Sequence, residues 1–325
     1  MRHAMRAAAT ALAAVTALPP VFAPSAAVAQ ASIDAVPSFW SVEWGQTDFA
    51  KNNIESWAEI MSGGPPKDGI PAIDDPQFIF VADESTIGDR EPVITVEIEG
   101  AEPRASPIRI PIAVTFCPLC NSGITFDRRV AGDVLSFGVS GKLRNSDMVM
   151  YDRETESWWQ QAVGEGIVGQ YTGVELETLP TWMESWQEFK ERNPEGIVMA
   201  RPTGFQRRYG ENPYVNYDSS QRPFLYNGEM PPHGSNPLVR VVRVGDRAWP
   251  LTRLADAGEI VEQGVRITWR AGQASALDAR QISEARDVGT VRVFDAQTGE
   301  NLAHDVMFAF AYHAFWPEGE WMLGS

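Results

Sequence analysis

From residue 94 onward, short runs of β-branched and aromatic residues recur, separated by turn residues. Examples are 94–98, 112–116, 123–126, 134–139 and 148–151. Runs of this length, bounded by Gly, Asn, Asp and Pro, predict antiparallel strands. One stretch breaks the rule. Thr181 followed by Glu184 has the spacing of a capping box, and Trp182, Trp186 and Phe189 then fall at i, i+4 and i+7. That spacing predicts a helix from Thr181 to Arg192, stopped by Asn193-Pro194, with its aromatic stripe as a docking face. Residues 63–71 hold four Pro or Gly before Lys67 and two after, and must form a loop.

Two stretches resemble each other. The segment from Ile94 to Ile108 and the segment from Val239 to Leu251 both read as a strand, a Gly-containing turn, then Pro with an aliphatic. A second strand follows each, Ala113–Phe116 in one and Arg266–Trp269 in the other. Residues 255–265 separate the second pair, but only Pro111 and Ile112 separate Ile110 from Ala113, so the first copy is shorter. The expected fold is mainly β: two related antiparallel units, sandwich or barrel-like, with a few short helices. The expected organisation is a signal peptide (1–29), an N-terminal extension carrying Trp40, Trp44 and Trp57 (30–62), a first β unit (63–201), a crossing loop rich in Pro, Tyr, Asn, Gly and Ser (202–237) and a second β unit packed on the first (238–325).

The first 29 residues change the expected location. Arg2 and Arg6 precede an apolar run, Ala7 to Leu18, and Ala27-Val28-Ala29 satisfies the small-x-small rule for signal cleavage before Gln30. The run is about a dozen residues, against roughly 20 for a membrane span. A periplasmic or secreted protein is expected, with no transmembrane segment after cleavage. The hydrophobic fraction of 44% and 11 Trp support a substantial core. The net charge of −16, more negative still without Arg2 and Arg6, argues against nucleic acid or anionic lipid as partner. A protein or small-molecule partner is left unspecified.

The chemistry concentrates at Cys117-Pro118-Leu119-Cys120, which holds both of the chain's 2 Cys. In thioredoxin-like proteins such a pair opens a helix. Here Asn121-Ser122-Gly123-Ile124-Thr125-Phe126 continues it, and Gly, β-branched and aromatic residues predict a strand. The pair therefore sits in a hairpin turn, as in a metal knuckle. Two thiolates do not complete a tetrahedral site. Of the histidines after residue 29, His233 lies in a Pro-Pro-His-Gly loop and His304 follows a turn. His313, in the aromatic run Phe308–Trp316, is the candidate third ligand. Two thiolates with one imidazole suit copper in its soft Cu(I) form, or zinc with an open position. A structural disulfide and a redox-active disulfide are the competing readings, and an interaction module with purely structural cysteines is another.

A second constellation gathers Arg129, Arg144, Asn145, Asp147, Tyr151 and Arg153 in a short stretch, either lining a cleft or forming surface ion pairs, the latter favoured. There is no nucleophile elbow, zincin helix, Walker loop or dinucleotide fingerprint.

With these residues in view, the chain resembles the exported bacterial and archaeal proteins of domain-of-unknown-function family 3179. The matching stretches are Pro66 to Asp75, Val114-Thr-Phe-Cys-Pro-Leu-Cys-Asn-Ser122, Phe126-Asp-Arg-Arg129, Phe137 to Gly141, Tyr151-Asp-Arg153 and Ala309 to Phe315. The resemblance implies secretion and a shared fold, and carries no settled activity. Members of that family carry a Trp-His-Glu-like segment before the strand leading to the cysteines; this chain runs directly from Ile108-Arg-Ile-Pro111 to Ile112-Ala-Val-Thr115.

Overall fold

The computed structural model describes residues 30–97, 111–202, 207–233 and 236–324. The expected signal peptide, 1–29, and residues 98–110 of the first resembling stretch lie outside these residues, whereas Pro111 and Ile112 lie within them and Ile112 opens a strand. Among them, strands dominate, with four α-helices: Ser38–Glu43, Trp186–Arg192, Leu251–Ala257 and Ala309–Phe315.

The largest sheet has five antiparallel strands in the order Ile60–Ser62, Phe137–Arg144, Asp147–Asp152, Trp158–Gln160, Glu165–Val168. Beside it, Ile112–Cys117 and Ser122–Asp127 form a hairpin that also takes Thr178–Leu179. The C-terminal part supplies a four-stranded sheet, Asp305–Phe308, Arg240–Val244, Arg247–Pro250, Glu320–Trp321, whose last pair is parallel. A three-stranded antiparallel sheet, Glu259–Glu262, Val265–Arg270, Thr290–Asp295, completes that part. None of these sheets closes into a barrel, which removes one of the two closures expected. The two resembling stretches make different pairings. Pro92–Val96 pairs with Thr181–Ser185, whereas Arg240–Val244 pairs with Arg247–Pro250 and Asp305–Phe308.

The N-terminal tryptophans are core residues. Trp40 and Trp44 meet the fully buried Trp158 edge-to-face at centroid distances of 5.2 and 5.4 Å, and Phe49 does so at 5.5 Å. Such pairs add about 0.5–1.5 kcal/mol each beyond the area they bury. The stretch Ala31–Ile60 is therefore held to the five-stranded sheet by aromatic packing.

The expected helix is shorter than its pattern. Thr181–Ser185 is a strand, and the helix begins at Trp186, capped by Ser185 Oγ, which accepts from Glu188 N at 3.2 Å. The same spacing recurs four residues later as Ser185 and Glu188, where the Ser half of the box forms while Ser185 N donates to Thr290 Oγ1 instead. Glu184 does not cap. It is buried and accepts from Thr95 Oγ1 at 2.7 Å and from Arg192. The β-branched Thr181 and aromatic Trp182 suit a strand, and pairing with Pro92–Val96 overrides the helical spacing. Trp182 accordingly faces Arg292, 4.3 Å from its ring centroid, while Trp186 stacks on Phe189.

Two stability predictions follow from this packing. Trp158→Ala removes the ring at the centre of the aromatic cluster, and the unfolding free energy measured in urea should fall by about 3–5 kcal/mol. His304 is buried, and burial pushes its imidazole pKa from 6.5 down to about 4. The unfolded chain takes up this proton near pH 6.5 while the folded chain resists it. The stability this group contributes is therefore complete above pH 6.5 and is lost as pH falls toward 4. Its size is on the order of 3 kcal/mol. The stability difference between wild type and His304→Gln should shrink by that order between pH 7 and pH 4; a pH-independent difference would contradict it.

Candidate functional site

The cysteine pair sits at the tip of the hairpin Ile112–Cys117/Ser122–Asp127, as the strand-forming continuation predicts, and Cys117↔Ser122 is its last paired position. Asn121 closes the turn with φ +55, a left-handed conformation that Asn tolerates better than most residues. Both cysteines are free thiols and both are buried.

Burial of this tip requires partners for its polar groups, and distant chain provides them. Phe308 N donates to Cys120 O at 2.8 Å, and Asn121 Nδ2 donates to Val306 O at 2.7 Å. Asp305 accepts from Ser122 Oγ at 2.6 Å and from Gly123 N at 3.3 Å. Arg240, itself buried and paired with Asp218 at 3.1 Å, reaches Asn121 Oδ1 at 3.3 Å. The helix Ala309–Phe315 packs Phe310, Ala311 and Tyr312 into the same apolar cluster as Cys117, Leu119 and Cys120.

A second hairpin turn faces the thiols. Phe137–Arg144 and Asp147–Asp152 are joined by Asn145 and Ser146, both with positive φ (52 and 63), the backbone of a two-residue turn that matches strand twist. Ser146 O accepts from Cys120 Sγ at 3.5 Å and from Cys117 Sγ at 3.9 Å. The next residue, Asp147, points its carboxylate at the same place. Donor atoms of Cys117, Cys120 and Asp147 lie within 4.8 Å of one another, and all three residues are buried.

The electrostatics of this group are unfavourable as protein alone. Burial raises the Asp147 pKa from 3.8 to about 6, although Gln160 Nε2 (2.6 Å) and Ala162 N (2.9 Å) hold Oδ2 and oppose the rise. Burial, then the neighbouring Cys117 and Asp147, push the Cys120 thiol well above 9.0. The two thiols face the Asp147 carboxylate and weakly oppose the rise, but no well-aligned donor holds Oδ1, and Gln160 Oε1 and Gln161 Oε1 nearby have no partner. Unpaired buried acceptors are costly, at about 1–3 kcal/mol each. A cation beside Oδ1 and the two sulfurs would relieve that cost.

The expected site residues are dispersed differently. His313 lies on the helix Ala309–Phe315 and is not a member of the converging group, whose third residue among the described residues is Asp147. His233 is exposed in its loop, and His304 is buried beneath the C-terminal sheets. The six polar residues of the second constellation do not line one cleft. Arg129 pairs with Asp127, Arg144 with Glu59 at 2.8 Å, and Arg153 with Asp74 at 2.9 Å. Tyr151 donates to Asp68, and Asn145 shapes the turn. Only Asp147 reaches the thiols. The sequence signal for it was the Asn-Ser pair between two apolar runs, a two-residue hairpin that aims the following side chain.

A family model described as a protein of unknown function, DUF3179, matches residues 67–319. No curated protein and no solved structure matches the chain. The matched span covers most of the sequence and contains both the cysteine turn and the Asn145–Asp147 turn that faces it. The chain belongs to the DUF3179 family.

Proposed function

We propose that this is an exported protein, periplasmic or secreted, that binds one divalent metal ion, zinc by preference, through Cys117, Cys120 and Asp147. The observation that carries the reading is the convergence of two thiols and a carboxylate within 4.8 Å in a buried site, where no well-aligned donor holds Asp147 Oδ1. Fully ionised, the three groups carry three negative charges. A monovalent copper ion would leave two uncompensated and would be offered a hard carboxylate it binds poorly. Zinc accepts sulfur and oxygen donors alike and leaves only one. Three protein donors also leave a fourth position for water or a small ligand, the arrangement of zinc sites that act on or exchange something.

A thiol–disulfide enzyme at the same pair has less support. Its attacking cysteine needs an exposed, low-pKa thiol. Cys117 and Cys120 are both buried, so neither offers an exposed attacking thiol, and the surroundings of Cys120 raise its pKa.

Native mass spectrometry of protein from the exported fraction, before and after denaturing alkylation, should show one zinc per chain that is lost on denaturation, with two alkylatable thiols. Absence of any ion, together with no zinc uptake by the reduced protein, would overturn the reading. Asp147→Asn should weaken zinc binding at least about tenfold while leaving the protein folded.

The pH dependence has a definite sign. Binding requires the ionised carboxylate, so zinc affinity should rise as pH increases through about 6, where Asp147 loses its proton. Asp147→Asn should remove that inflection in a calorimetric titration and leave the thiol-linked rise at higher pH.

A further inference from the structure

The long segment between Met199 and Arg240 contains, among its described residues, one turn of 3-10 helix, Tyr217–Ser219, and is pinned there. Asp218 is buried and accepts from Arg240 Nη1 at 3.1 Å and Ser275 Oγ at 2.5 Å, with Arg286 Nη2 at 2.9 Å. From this anchor the chain crosses the cysteine turn. Tyr217 Oη donates to Leu119 O at 3.0 Å and accepts from Phe224 N at 3.3 Å, so one hydroxyl ties the crossing segment to the turn. Ser146 Oγ, from the opposite turn, donates to Phe224 O. Leu225 and Tyr226 then pack on the cluster that holds both thiols, with the Tyr226 ring 4.9 Å from Phe310.

The two faces of this segment differ. Phe224 and Arg222 face water, whereas Leu225 and Tyr226 are half-buried against the cluster. Leu225 has φ +49, a left-handed conformation that a leucine adopts only when its surroundings impose it. The segment has no sheet pairing to share that strain. It is held over the thiols by two hydroxyl contacts, a long bond from Asn236 Nδ2 to Ser220 O at 3.4 Å, local apolar packing and the anchor at Asp218. Such segments open locally at far lower cost than a paired strand.

We propose that residues 219–226 are a gate over Cys117 and Cys120, which opens locally on the Asp218 anchor and sets the rate at which ions and reagents reach the thiols. The role assigned to the gate rests on the metal-site reading; its existence does not, and it is tested without metal. The strained Leu225 favours opening, and the Tyr217 hydroxyl opposes it.

The experiment follows alkylation of the reduced, metal-free mature chain by iodoacetamide, with hydrogen exchange read by mass spectrometry on peptides covering 219–226. Wild-type thiols should react far more slowly than those of the urea-unfolded chain. Their rate should be nearly insensitive to low urea, because local opening exposes little surface. The 219–226 amides should exchange ahead of those in Arg240–Val244 and Asp305–Phe308. Tyr217→Phe should accelerate alkylation by roughly 2- to 10-fold, the worth of its hydrogen bonds, and raise exchange in 219–226 alone. An unchanged rate in Tyr217→Phe, or a wild-type rate that climbs with urea as steeply as global unfolding, would overturn the gate. Gated alkylation in a protein that takes up no zinc keeps the gate and removes the metal reading; zinc uptake with ungated thiols does the reverse.

Discussion

A β-hairpin turn ordinarily faces water, because its backbone N–H and C=O groups have no ladder partners and water supplies them. The turn at Cys117–Asn121 is instead enclosed, so every element around it must either bond to it or pack on it. Its side-chain hydrogen bonds to the C-terminal half span 98 to 185 residues of sequence, from Tyr217 to Val306. Asp305 takes the hairpin's first two groups after the turn, Arg240 takes the Asn121 side chain, and Asp218 compensates Arg240. Breaking one member leaves a buried charge or donor unpaired, which costs more than the lost bond itself. The packing of the strands Arg240–Val244 and Asp305–Phe308 against the hairpin is thus dictated by the need to satisfy the turn.

That enclosure also makes the site. The same desolvation that requires partners for the backbone raises the pKa of Asp147 and of Cys120, because water no longer stabilises their ionised forms. Asp305, equally buried, has a donor on each oxygen; Asp147 has donors on Oδ2 alone, and its Oδ1 is left to the thiols. The difference separates a structural carboxylate from a candidate ligand. The crossing segment around Phe224, tied to both turns by the Tyr217 and Ser146 hydroxyls, makes no strand pairing and carries Leu225 at φ +49.

Much of the local structure was legible in the amino-acid order. Gly123, Ile124 and Phe126 after the second cysteine predict a strand rather than a helix, and the hairpin forms there. The strand runs 112–116, 123–126 and 148–151 appear within one or two residues of their expected limits. The run 134–139 is broken at Leu135 and Ser136, where the small ribbon Arg129–Val130/Asp133–Val134 gives way to the large sheet. The tryptophans at 40, 44 and 57 were recognisable as packing residues, since rings of that size are rarely left in water without a partner.

What the sequence by itself determined, then, is whatever depends on neighbours in the chain: the β character, the turn that carries both cysteines, and the thiol pair as a candidate site. Tertiary structure decided everything that depends on which strands meet. Spacing alone places Thr181–Ser185 on a helix, but the edge offered by Pro92–Val96 makes it a strand. His313 has the more recognisable side chain for a metal, yet the residue brought to the thiols is Asp147, one of 43 acidic residues with nothing in its own type to mark it. His304 looks like a loop residue and is buried. A ligand set is a property of distances between atoms, and only the meeting of two hairpin turns, one at Cys117–Asn121 and one at Asn145–Ser146, fixes those distances.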